Sequence, residues 1–315
     1  MIRTILKDIQ EQSLKHIQCH EHLFIEEGAS KKVDPVLFMN DPDASAKELR
    51  EYYIKGGSLI VDAQPGYFGR MAGNLAWASQ KSNVDIVAST GFHKMAFCDF
   101  PERFQAKTTD EIAVEFVLEL TEGMIDSKAG GLLRTGYKAG AIKTAVESCG
   151  LHGEKIYEKL FHAAALAQKM TGAPILCHIE KGADALELIA FLVSLDVDPE
   201  KIIVCHLDRA KYDLSYHLEV AKTGVYFDYD TVNRLKYLSH EQELALIQAM
   251  IRHGHAEKIM VSLDTTRARL KYYGGDMGLA YILDTYTEMM KAAGVHESEI
   301  RKILCNNAKK ALTFG

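Results

Sequence analysis

Short apolar runs rich in β-branched residues alternate along the chain with longer stretches in which apolar positions recur every three to four residues. The first pattern reads as buried strands and the second as amphipathic helices. Strands are expected at residues 17–20, 58–63, 84–90, 140–144, 174–179, 202–207, 225–228 and 259–263. Helices are expected at 44–55, 110–126, 153–171, 182–195, 212–222, 239–252, 277–293 and 298–312. Gly56-Gly57, Gly172, Gly224 and Gly294 follow helical stretches, where a left-handed residue commonly ends a helix.

Eight such strands, alternating with helices over 315 residues, predict an α/β fold of the (β/α)8 TIM-barrel type, as one domain over 1–315. A doubly wound open sheet is the alternative. No glycine-rich dinucleotide fingerprint or P-loop follows the first strand, which weakens it. The longest insertion lies at residues 91–139 and runs into a glycine-rich stretch from Gly130-Gly131 to Gly140.

The 37 Lys and Arg against 43 Asp and Glu leave a net charge of −6, with no basic block. Nucleic acid and an anionic membrane are therefore not expected partners, whereas a small anionic substrate needs only a local cluster of cations. No run approaches the ~18 apolar residues of a spanning helix. Arg3, Lys7, Asp8, Glu11 and Lys15 interrupt the first residues, so no targeting leader is expected. The six cysteines show no CxxC spacing and read as reduced thiols of a cytoplasmic protein.

Active sites of such barrels gather at the C-terminal ends of the strands. Five of the eight expected strands end there in a residue able to bind a metal: His20 and His22 on the first, Lys143 on the fourth, His178 on the fifth, His206 on the sixth and Asp264 on the eighth. On a strand, positions i and i+2 share a face, so His20 and His22 can offer two imidazole nitrogens to one cation. Cysteine precedes histidine at Cys19-His20, Cys177-His178 and Cys205-His206. By the same alternation the thiols should face away, as apolar fillers between sheet and helices. An unpaired ammonium at Lys143 would be disfavoured beside cations, and one resolution is a neutral amine that reacts with CO2 to give a carbamate. Asp264 can touch a metal and take a proton from water; Asp228, Asp230 and, more weakly, Asp62 are alternatives.

The motif Cys19-His20-Glu21-His22-Leu23, followed by Ala141-Ile142-Lys143-Thr144, His178, His206 and Asp264, resembles the phosphotriesterase-like branch of the amidohydrolase superfamily across essentially the whole chain. The resemblance implies two divalent metal ions, usually Zn2+. His20, His22 and Asp264 would hold the more buried ion, and His178 and His206 the more exposed one. A CO2-derived carbamate on Lys143 and a hydroxide would bridge them. The expected chemistry is hydrolysis of an ester, lactone, amide or phosphotriester, with Asp264 handling the proton.

The loops after strands six to eight carry Arg209, Lys211 and Tyr212, then Arg234, Lys236 and Tyr237, then Arg267, Arg269, Lys271, Tyr272 and Tyr273. Cations beside tyrosines suit a phosphate. A phosphate held there would serve as a handle that positions a reacting carbonyl at the metals. The pattern is similar to a family branch that opens phosphorylated furanose lactones, with Lys211, Lys236, Tyr237, Arg269 and Tyr272 as the matching residues and Arg209 and Arg267 in contention. A hydrolase of neutral esters or organophosphates is the alternative. A deaminase-like or dihydroorotase-like amidase and a non-catalytic binding barrel are further readings. Barrels of this kind are often homodimers.

Overall fold

Eight parallel strands form the predicted barrel in a computed structural model that describes residues 1–126 and 133–314. The Gly130-Gly131 part of the glycine-rich insertion lies outside the described residues. A two-residue hairpin, β1 (Ile2–Arg3) and β2 (Asp8–Ile9), precedes it and was not legible in the periodicity. The barrel strands are β3 (His16–Glu21), β4 (Gly57–Asp62), β5 (Asp85–Gly91), β6 (Ala141–Val146), β7 (Ile175–Ile179), β8 (Ile202–Cys205), β9 (Tyr226–Tyr229) and β10 (Ile259–Val261). Each pairs in parallel with the next.

Two apolar populations follow from strand alternation. Inside the barrel, Ile17, Leu59, Val61, Val87, Ala141, Leu176, Ile203, Tyr226 and Met260 pack together. Ile2 and Ile9 of the hairpin join that cluster with Ala308, Ala311 and Leu312 of the C-terminal helix, so both chain ends plug the N-terminal mouth. The opposite faces of the strands, with Ile60, Ile86, Ile142, Ile175 and Val204 among them, pack against the surrounding helices.

The helices begin where side chains satisfy their first amides. Asp41 caps Pro42–Ile54 by accepting from the Ala44 amide, and capping boxes open Thr109–Thr121 (Thr108 with Glu111) and His240–Arg252 (Ser239 with Gln242). Each such cap stabilises by about 1 kcal/mol. A helix at Ala72–Ser82 was not expected from the pattern. Its buried face is mostly small (Ala72, Ala76, Ala78, Ser79, with Leu75), so no stripe of large apolar residues marks it. The helix expected at 277–293 is shorter, and starts with a π-helical turn at Ile282–Tyr286.

The seam between β10 and β3 carries no regular ladder, and side chains close it. Ser262 Oγ accepts from the amides of Cys19 (2.9 Å) and His20 (3.1 Å). The Glu21 carboxylate accepts from the amides of Leu263 (2.8 Å) and Thr265 (3.1 Å). Register slips between Gln18 and Glu21 where β3 meets β4, so β3 bulges beside this seam. A bulge re-aims side chains, and here it lies at the His-x-His pair.

Candidate active site

The C-terminal mouth of the barrel gathers the six residues singled out in the sequence. His20 Nε2 lies 3.0 Å from Lys143 Nζ, and His178 Nδ1 lies 2.7 Å from His206 Nε2. Asp264 Oδ1 stands 3.5 Å from His22 Nε2 and 4.0 Å from His20 Nε2, and its Oδ2 is 4.0 Å from His206 Nδ1. His20, His206 and Asp264 offer ligand atoms within 4.8 Å of one another, as do His20, Cys205 and Asp230.

Lys143 is the third residue of six in β6 rather than its last, because the strand continues to Val146. It therefore enters the site from below, fully buried. Gly91 makes this possible. The chain turns there at φ +100°, and a Cβ would overlap the Lys143 carbonyl oxygen. His206 and Asp264 lie beyond the ends of their strands in left-handed backbone, at φ 66° and 48°.

These departures from regular strand overturn part of the cysteine expectation. Cys177 packs outside the barrel as expected, but Cys19 and Cys205 belong to the cluster inside it. The bulge in β3 and the left-handed turn at His206 break the alternation, so cysteine and histidine of each pair end on the same side. Burial pushes the Cys205 thiol up, which keeps it uncharged beneath the histidines.

Burial also holds the histidines neutral, the state with a free lone pair: His20 and His206 fall well below the ordinary range, and His178 falls to about 3. Burial likewise lowers Lys143 and favours its neutral amine. For Asp264, burial pushes upward, but Arg234 and the neighbouring histidines outweigh it and hold the carboxyl well below the usual range. Arg234 Nη2 and Arg209 Nη1 lie 3.2 and 3.3 Å from Asp264 Oδ2. Nδ1 of His22 and Nε2 of His178 are buried without a hydrogen-bond partner. Opposed imidazole nitrogens, a carboxylate and a buried amine form a nitrogen and oxygen donor set that fits borderline divalent cations such as zinc.

A model of the phosphotriesterase family matches residues 1–312. The chain belongs to the phosphotriesterase family. That places it among metal-dependent hydrolases with small-molecule substrates. It is similar to a phospho-furanose lactonase of Mycoplasmopsis synoviae, with 32% identity over 99% of this chain and 91% of that protein. Among solved structures it resembles the lactonase Lmo2620 from Listeria monocytogenes (28% identity, TM-score 0.91, 100% and 99% of the two chains). It also resembles an amidohydrolase from Mycoplasma synoviae (31% identity, TM-score 0.92, 100% and 92%). Among the described residues, no helix is long and apolar enough to cross a membrane.

The loops above the barrel shape what reaches the site. A cleft of about 570 Å³ is lined by Asn233, Arg234, Lys236, Arg269, Asp34 and Asp276, among others. Its Arg234 reaches Asp264, as Arg209 does, so one side chain links the cleft to the site. Two of the five expected phosphate residues, Lys236 and Arg269, line it. Tyr237 stands beside them, its ring 4.8 Å from Lys236 Nζ and 5.5 Å from Arg209 Cζ. Lys211 is turned onto the Tyr216 ring at 4.0 Å, and Tyr272 faces Lys47 of the helix Pro42–Ile54, so neither lines the cleft.

Three further groups attach to the site that the sequence reading did not select. Asp230, weighed only as a substitute for Asp264, lies 2.5 Å from His206 Nδ1 and 2.8 Å from His20 Nδ1. Glu180 lies 3.8 Å from His178 Nε2 and accepts from Lys94 Nζ at 2.8 Å. His93 stacks its ring 5.0 Å from that of His178. The signal for Asp230 was its alternation with Asp228 at the end of β9; nothing in the local pattern marked Glu180 or His93.

Proposed function

We propose that this protein is a binuclear metal-dependent lactonase that opens phosphorylated furanose lactones. The observation that carries the reading is the cation-lined cleft joined through Arg234 to Asp264 at the mouth of the barrel. Similarity to a phospho-furanose lactonase points the same way. Arg234, Lys236 and Arg269 against Asp34 and Asp276 leave one net positive charge, suited to a phosphate with neighbouring carboxylates that accept from sugar hydroxyls.

His20, His22 and Asp264 would hold one Zn2+, and His178 and His206 the other, with carboxylated Lys143 shared between them. When bound, the ions supply Lewis acidity and lower the pKa of water toward ~7. The neutral Lys143 amine adds to CO2, forming a C–N bond and releasing a proton to give the carbamate. Arg209 and Arg234 keep Asp264 ionised, so it accepts a proton from the attacking water and returns it to the departing alkoxide. Lys236 and Arg269 anchor the phosphate, and the binding energy positions the lactone carbonyl. The cysteines are all free, which suits the reducing cytoplasm.

The test is a pH-indicator screen of the zinc-loaded protein against furanose lactones with and without a 5-phosphate, neutral aryl esters and phosphotriesters. A phosphorylated lactone should exceed its unphosphorylated form at least ten-fold in kcat/KM. Faster turnover of neutral esters would replace this reading with that of a general esterase.

A further inference from the structure

Past Gly91, the ladder between β5 and β6 continues for one more bond, from the Phe92 amide to the Lys143 carbonyl oxygen at 2.9 Å. The next residue, His93, is thereby carried to the mouth of the barrel beside the reacting centre. Its ring is held on three sides: by His178 at 5.0 Å, Phe97 at 5.0 Å and Phe68 at 6.5 Å between centroids. The following residue, Lys94, ties the same loop to Glu180 across the mouth. His93 is thus a rigid, buried imidazole on the side of His178, whereas Arg209 and Arg234 attend to Asp264.

Its hydrogen bonding assigns its proton. His93 Nδ1 accepts from the Lys94 amide at 2.7 Å. A nitrogen that accepts carries no proton, so the hydrogen of the neutral ring sits on Nε2. No partner for Nε2 is found among the described residues. A clamped donor left unpaired by the protein, at the edge of a hydrolytic centre, matches what an oxyanion site requires: a hydrogen-bond donor pre-set where charge develops.

We propose that His93 is a catalytic residue whose Nε2–H donates to the substrate carbonyl oxygen as it becomes an oxyanion. The proposal rests on the hydrolase reading above but not on the identity of the substrate. The proton stays on Nε2 throughout; only the hydrogen bond strengthens as charge moves onto oxygen.

His93→Phe keeps a ring of similar shape against Phe97 and Phe68 and removes the donor; His93→Gln restores an N–H. In the zinc-loaded protein, His93→Phe should lower kcat about 100-fold, the size of a lost oxyanion donor. Its KM should stay within about two-fold, and metal content and Tm should match wild type. His93→Gln should recover about ten-fold. Unchanged kcat in His93→Phe, or a fall that tracks lost metal, overturns the proposal. If wild type turns over a neutral ester but no phosphorylated lactone, the substrate reading fails, and the same comparison on that ester still decides the role of His93. Titration with acetohydroxamate, an oxyanion mimic, gives a readout independent of turnover: about ten-fold weaker binding by His93→Phe supports the role, and equal binding refutes it.

Discussion

Asp230 sets its Oδ1 2.5 Å from Nδ1 of His206, with neither side chain reaching solvent. Its other oxygen lies 2.8 Å from Nδ1 of His20. One carboxylate thus bonds to His206 and lies against His20, two imidazoles from different strands whose Nε2 atoms face the remaining candidate ligands. Outer partners of this kind fix tautomer and ring orientation, and losing one weakens metal binding about 10–100-fold. Asp230→Ala should show that loss in a competitive zinc titration, and Asp230→Asn less of it. Wild-type affinity in both would remove Asp230 from the support of the site.

Lys143 tests the bridge. With its amine 3.0 Å from His20 Nε2 and no exposure, Lys143→Ala leaves a hole among the candidate ligands. Zinc bound per chain should fall, and a short carboxylic acid should restore part of both metal content and rate. Full zinc content without rescue would contradict a shared carbamate.

The cleft separates anchoring from chemistry. Lys236 is exposed and lines the cleft, while Arg234 also touches Asp264. Lys236→Ala should raise KM about ten-fold for phosphorylated substrates and leave neutral esters unaffected. Arg234→Ala should lower kcat on both classes. Equal losses for Lys236→Ala on both would dismiss the phosphate anchor.

Beside β5, Arg70 and Glu119 form a buried two-pronged pair, with Nη1–Oε2 at 2.7 Å and Nη2–Oε1 at 2.6 Å. Arg70 also donates to the Ser89 and Ile125 carbonyls, bracing the insertion against β5. Burial pushes the Glu119 carboxyl upward, but Arg70 outweighs it and holds it below its ordinary value. A carboxyl with a depressed folded pKa contributes stability that is complete above its unfolded value, near ~4.3, and is lost as pH falls through the folded value. Glu119→Gln leaves a buried guanidinium unpaired, so it should cost about 3–5 kcal/mol at neutral pH. The loss relative to wild type should shrink on acidification. A pH-independent difference in urea unfolding would show that the pair does not titrate with folding.

Much of this was legible along the chain. All eight barrel strands lay where short apolar runs predicted them, because strands buried on both faces are mostly apolar between the polar residues at the mouth. The six candidate ligands stood out because barrels use the ends of their strands, and the structure brings their side chains together at one mouth. The hairpin Ile2–Arg3 with Asp8–Ile9 and the helix Ala72–Ser82 were hidden, since two-residue strands and faces of small residues leave little periodic signal.

The chain alone, through residue type and spacing, determined the barrel and the inventory of donors at its mouth, since burial periodicity is a local property. Only the folded arrangement decided which donors meet. Cys19 and Cys205 keep the inward alternation of Ile17 and Ile203, and the bulge in β3 and the left-handed turn at His206 bring the adjoining histidines to that same side. Asp230, His93 and Arg234 acquired partners from strands and loops distant in sequence. Such pairings depend on backbone departures and contacts across the barrel, which no local pattern encodes.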